Sequence, residues 1–168
     1  MQAQLKKKGI LFLIIGPQGS GKTIIAKKLL PKIKKKYGKT IYCDGDILRN
    51  IFNFYDYSVK GREKLNKPYY KFCNFIINQK INLIFSTVSV DWSKKQVGKS
   101  NKNFFEIYLN RAQKERKKSR KKIFNKIKNQ KIHKTNFADI EIINDVKKNK
   151  LNIIVNKIFK KIKDKFKL

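Results

Sequence analysis

Acidic residues are scarce in this chain: 11 Asp and Glu stand against 43 Lys and Arg, leaving a formal charge of +32 over 168 residues. Such a field repels basic partners and gathers polyanions, whether nucleic acid, an anionic membrane surface or nucleotide substrates. The basic residues are mostly Lys, scattered along the whole length among many Asn and Ile. All three types have A/T-rich codons, so genome composition supplies a competing source for the excess. Cysteine is almost missing. Cys43 and Cys73 stand in neither a C-x-x-C nor a metal-ligand spacing, which excludes a disulfide framework and leaves two buried, reduced thiols as the expectation. The one histidine, His133, has no partner for metal or triad chemistry. No apolar run approaches the ~20 residues of a membrane-spanning helix, and the short N-terminal one runs straight into a glycine-rich turn, unlike a secretory signal. Linker segments and internal repeats are also lacking. With 40% hydrophobic residues, the expectation is one domain over residues 1–168, soluble and cytoplasmic, with a core of its own.

What is present is a complete phosphate-binding loop. Gly16-Pro17-Gln18-Gly19-Ser20-Gly21-Lys22-Thr23 fits G-x-x-x-x-G-K-[ST], and its surroundings fit as well. The apolar run Ile10–Ile15 before it reads as a buried parallel strand, and Thr23 to Lys36 after it as a helix. The glycines let backbone N–H groups turn inward around a polyphosphate, and the helix N-terminus adds a favourable dipole. Lys22 is placed to reach the outer phosphates and the Thr23 hydroxyl to ligate Mg²⁺.

Strands and helices then alternate. The expected strands are Thr40–Cys43, Ile81–Thr87, Phe104–Leu109 and Ile140–Ile143. The expected helices are Ile47–Phe52, Arg62–Gln79 with Pro68 inside it, a basic helix Arg111–Asn129, and the amphipathic Leu151–Phe166. Asn53–Gly61 reads as an aromatic turn and Ser89–Asn103 as a polar loop. This alternation predicts an α/β fold of the P-loop NTPase type: three layers, α/β/α, around a mainly parallel five-stranded sheet, with ligands at the carboxyl ends of the strands.

Asp44-Gly45-Asp46 closes the second strand, so Asp46 falls at that edge, where a carboxylate can hold Mg²⁺ or accept the proton of an attacking hydroxyl. Capping of the helix at Ile47 is the competing role for Asp46. Arg49 follows one helical turn later and suits a phosphate or sulfate.

At D-G-D-x-x-R, here Asp44-Gly45-Asp46-Ile47-Leu48-Arg49, the chain resembles the adenylyl-sulfate (APS) kinases. Tyr57-Ser58, Arg62, the strand Asn103–Leu109 and Phe137–Ile142 extend the resemblance over nearly the whole length, loosely in the last two thirds. It implies transfer of the ATP γ-phosphate to the 3′-hydroxyl of APS, with ATP at Gly16–Thr23 and Mg²⁺ on Thr23 and Asp46. Lys22 and Asp46 would be catalytic. Asp44, Arg49, Tyr57, Arg62 and Lys121 would bind the acceptor, Tyr57 by stacking on its base. The resemblance also brings in the family's common pairing as homodimers.

The departures fall on the acceptor side. The Asn of the family's R-x-x-N is Leu65, with Asn66 one residue on; I-S-P-Y becomes Val88-Ser89-Val90-Asp91; R-D-x-K-G-L-Y becomes Lys118–Phe124, keeping Lys121; and the lid is shortened to Asn125–Asn136. A lost buried polar contact changes substrate discrimination. The acceptor is thus APS or another nucleotide-linked compound such as cytidine diphosphoramidate. A nucleic-acid-binding protein is the reading from a different class, carried by charge alone.

Overall fold

The computed structural model describes residues 8–88, 103–112, 138–145 and 150–167. Strand β1 (Leu11–Ile15) lies at the centre of a five-stranded sheet with β2 (Thr40–Asp44), β3 (Asn82–Thr87), β4 (Phe104–Asn110) and β5 (Ile140–Ile143). The order is β2-β3-β1-β4-β5 and every pairing is parallel. Parallel strands need both faces covered, so β1, β3 and nearly all of β4 are buried and read as unbroken apolar runs.

The period-two alternation of β1 divides the core. Phe12 and Ile14 point to the side covered by α1 (Lys22–Tyr37) and α4 (Leu151–Lys165), which supply Ile25, Leu29 and Ile33, and Ile154, Ile158 and Ile162. Leu11, Leu13 and Ile15 point to the other side, under Leu65, Tyr69, Cys73 and Ile77 of α3 (Val59–Asn78). Each such side chain, fully buried, contributes about 1.5–3 kcal/mol. The buried Asn82 ties one end of the sheet together: its amide oxygen accepts from Ile10 N at 2.9 Å and its amide nitrogen donates to the Tyr37 carbonyl at 3.0 Å.

Two helices begin earlier than the apolar periodicity predicts. Helix α2 (Gly45–Ile51) is capped by Asp44, whose Oδ1 accepts from Ile47 N at 2.9 Å; Asp46 is not the cap. Helix α3 starts at Val59 because Ser58 Oγ accepts from Gly61 N at 3.1 Å, so the expected turn ends three residues sooner. Pro68 lies inside α3 without ending it. Arg111 and Ala112, expected to open a helix, are non-helical: Arg111 N donates to Asn110 Oδ1 and Ala112 N to Asp145 Oδ1. The rest of that expected basic helix, with Lys121 and the stretch to Asn136, lies outside the described residues, as does Ser89–Lys102.

The chain connection from β1 runs toward the β2 edge and that from β3 toward the β4 edge, so the loops part above the sheet centre. A crevice at such a place is where open α/β sheets hold ligands.

Candidate active site

The crevice is a cleft of about 220 Å³ at the carboxyl ends of the strands. One wall is the loop joining β1 to α1. Gly21 has φ +96°, and a Cβ there would stand 2.5 Å from Asn144 Nδ2. Only glycine takes that backbone freely and leaves that space. Gly16 is equally confined, since a Cβ would meet the Leu109 carbonyl oxygen at 2.0 Å. Lys22 Nζ donates to the carbonyls of Gly16 and Pro17, both at 2.8 Å, which holds the ammonium across the loop. Gln18, Gly19, Gly21, Lys22 and Thr23 line the cleft. Ser20 is fully buried beneath the loop, and Gly16 and Pro17 are buried too.

The opposite wall comes from α2, the turn after it, and the first turn of α3, which bring Asp44, Asp46, Arg49, Tyr57 and Arg62 to the same cleft. Asp44 is occupied twice, capping α2 with one oxygen and accepting from Tyr42 Oη at 2.9 Å with the other. Asp46, at the second position of α2, is exposed to the cleft. Arg49 is only 6% exposed. Its Nη1 donates to the Asp56 carbonyl at 2.8 Å and the Phe54 carbonyl at 3.4 Å, and its guanidinium lies 4.6 Å from the Tyr57 ring centroid. It therefore folds the turn that carries Tyr57, a cation–π contact included. Burial, and then the like charge of Arg49, pull the Arg62 guanidinium below its ordinary value. Two cations turned into one cleft define a seat for an anion.

Leu65 is 3% exposed and packs in the core under α3, away from the cleft. The polar contact expected of that helix position is absent.

Several cleft residues escaped the sequence reading. Tyr69 Oη donates to the Gly45 carbonyl at 2.9 Å, and burial pushes its phenol up to about 12. Ser86 and Thr87 end β3, Arg111 follows β4, and all three line the cleft. From the far edge, Arg111 Nη1 donates to the Gly19 carbonyl at 3.3 Å and Asn144 Nδ2 to the Ser20 carbonyl at 2.7 Å, propping the loop from behind. For Ser86, Thr87, Arg111 and Asn144 the signal was available: each follows or ends a strand at its carboxyl end.

Thr23, Asp44, Asp46 and Ser86 offer only oxygen donors, and all four line the cleft. A hard, oxygen-seeking cation such as Mg²⁺ fits that set, and soft metals do not. Among the described residues no three His, Cys, Asp or Glu side chains cluster as a dedicated metal centre.

A parallel sheet in this order with a glycine-rich cradle on its central strand defines a P-loop nucleotide-binding protein of the three-layer α/β/α class. The chain belongs to the adenylylsulphate kinase family, whose model matches residues 8–150. It is 36% identical over 110 residues to the cytidine diphosphoramidate kinase of Campylobacter jejuni, covering 62% of each chain. To a probable adenylyl-sulfate kinase of Pyrococcus abyssi it is 26% identical over 108 residues, covering 61% of this chain and 60% of the other. The matched stretch thus spans about three fifths of these relatives. The Mycobacterium tuberculosis APS kinase, solved with AMPPNP and APS, shares the fold with a TM-score of 0.73 over 94% of this chain and 99% of that one, at 14% identity.

Proposed function

We propose that the chain is a small-molecule kinase that moves the γ-phosphate of ATP onto a hydroxyl of a nucleotide-linked acceptor. The observation that carries this is a single cleft with the phosphate loop on one wall and the Asp46, Arg49 and Arg62 group on the other. A phosphate cradle alone fits any nucleotide-binding protein. An anion seat facing it across a carboxylate fits phosphoryl transfer between two anionic substrates.

In that reaction Lys22 and the loop N–H groups hold the donor's outer phosphates. The acceptor oxygen attacks the γ-phosphorus in line, the bond to the β–γ bridging oxygen breaks, ADP leaves, and the hydroxyl proton passes to Asp46. Thr23 and Asp46 would hold Mg²⁺, which supplies neutralisation of the phosphate charge when bound. Arg49 and Arg62 bind the acceptor's diphosphate-like group, and Tyr57, backed by Arg49, offers its ring to the base.

Cytidine diphosphoramidate is the acceptor favoured here. The support is the likeness to the Campylobacter protein, 36% identical over 110 residues. Adenylyl sulfate is the second reading, favoured by the D-G-D-x-x-R segment of this chain, on which its resemblance to the adenylyl-sulfate kinases rests. The comparisons lend the nucleic-acid reading no support. The test is phosphate transfer from Mg-ATP to each acceptor in parallel. Turnover of the cytidine compound with little on adenylyl sulfate is expected; the reverse would restore a sulfate-activating role, and turnover of neither would sink both acceptors.

A further inference from the structure

Two carbonyls of the phosphate loop are held from behind, and the two holds do different work. Arg111 Nη1 donates to the Gly19 carbonyl at 3.3 Å, but the N–H of that same peptide, on Ser20, turns back to the Pro17 carbonyl at 3.2 Å. That peptide closes a turn within the loop. Asn144 Nδ2 donates to the Ser20 carbonyl at 2.7 Å, across 124 residues of sequence. The N–H of this second peptide belongs to Gly21, which precedes α1 and lines the cleft.

The direction of that N–H follows from the planarity of the peptide. None of the described peptide bonds is cis, and in a trans peptide C=O and N–H point opposite ways. Asn144 lies beneath the loop and is only 4% exposed, so the Ser20 carbonyl points inward to it and the Gly21 N–H outward to the cleft. Asn144 is itself anchored, its backbone N donating to the Asn110 carbonyl at 2.7 Å and tying the end of β5 to the end of β4. Stability alone does not account for the residue. Its Oδ1 is buried with no hydrogen-bond partner among the described residues, and the cost of an unmet buried acceptor offsets what the one bond contributes.

We propose that Asn144 is a positioning residue for the donor phosphates: by holding the Ser20 carbonyl it fixes the plane of the Ser20–Gly21 peptide and keeps the Gly21 N–H turned into the cradle. The inference rests on reading the loop as the seat of the ATP phosphates, and it holds whichever acceptor is used.

The test is Asn144→Leu, which keeps the size and removes the donor together with the unmet oxygen. Calorimetry would measure binding of a non-hydrolysable ATP analogue beside a melting curve, and steady-state kinetics would give both KM values. The melting temperature should hardly move, while affinity for the analogue falls about tenfold, the scale of one hydrogen bond to a charged group. The KM for ATP should rise by a similar factor and that for the acceptor stay level. The Gly21 amide resonance reads the folded molecules alone: tripolyphosphate should shift it in the wild type and markedly less in Asn144→Leu, even if the variant is less stable. An unchanged affinity with an unchanged Gly21 shift would overturn the proposal. A lower melting temperature with donor binding intact would overturn it too, leaving Asn144 a contact of the fold only. A wild-type protein that neither binds the analogue nor shifts Gly21 with tripolyphosphate would overturn the reading of the loop itself, an outcome distinct from the other two.

Discussion

The two walls of the cleft are built by different means. The donor wall is one run of eight residues whose backbone makes the cradle: its glycines take the conformations, and its lysine bonds to the loop's own carbonyls. The acceptor wall is assembled from side chains on α2, α3 and the turn between them, and Arg49 must fold that turn before Tyr57 has a place. Backbone chemistry tolerates little change, because every ATP carries the same phosphates. Side-chain chemistry can be exchanged one residue at a time. On the proposed reading, the first wall keeps the donor while the second chooses the acceptor.

The largest effect expected is on the donor wall. Lys22→Ala should lower kcat/KM by about a thousandfold, the scale of losing a charge that stabilises the transferring phosphoryl group. Thermal stability should hardly move, since the half-buried Lys22 lines the cleft and its ammonium bonds the loop carbonyls of Gly16 and Pro17 rather than the core. Steady-state kinetics beside a melting curve would check both, and wild-type turnover in this variant would remove the donor assignment.

On the acceptor wall two arginines should part company. Arg62 is half-buried beside another cation, so Arg62→Ala relieves repulsion and desolvation and should leave the melting temperature level or slightly raised. The KM for the acceptor should rise about 10–100-fold, the equivalent of one charge-assisted hydrogen bond at about 1.5–3 kcal/mol, with the KM for ATP unchanged. Arg49→Ala should raise the acceptor KM and also destabilise the protein by about 1.5–3 kcal/mol, because its bonds to the carbonyls of Phe54 and Asp56 are lost. If both variants kept full stability, the idea that Arg49 builds the wall it belongs to would fail. If Arg62→Ala left acceptor kinetics untouched, that residue's role would be withdrawn.

The same contrast decides what the sequence could reveal. The donor wall was legible because a local motif prescribes its own geometry, and β1, α1 and the strand order's parallel character followed from apolar runs of the right lengths. The early starts of α2 and α3 were not, because Gly45, Asp46, Val59 and Lys60 carry no buried stripe; only the caps Asp44 and Ser58 mark them. Ser86, Arg111 and Asn144 were missed for a stronger reason. Each is ordinary in its own segment and reaches the site only because β3 and β4 flank β1 and β5 flanks β4. Knowing that ligands collect at carboxyl ends of strands narrows the candidates to such positions, yet which of them touch depends on that order.

The smallest effect expected separates the two faces of the core. Cys43, Tyr69 and Cys73 all lie in the cluster under α3, behind the acceptor wall. Burial pushes the Cys43 thiol from 9.0 up to about 11, with the Asp44 carboxylate adding to the rise. Burial also raises Cys73, and it holds Tyr69 near 12. Between about pH 9 and 11 the unfolded chain gives up its Cys43 proton while the folded chain keeps it. The folded state then binds more protons, and stability falls as pH rises. Melting temperature should therefore hold level to about pH 8.5 and decline through that window. Cys43→Ala should lose some stability at every pH, from the vacated packing, but decline less steeply. The slope is the informative quantity, because lost packing shifts the curve without tilting it. A Cys43→Ala curve parallel to the wild type would place the alkaline sensitivity elsewhere, with Tyr37 on the opposite face, whose phenol burial also raises, the next group to replace.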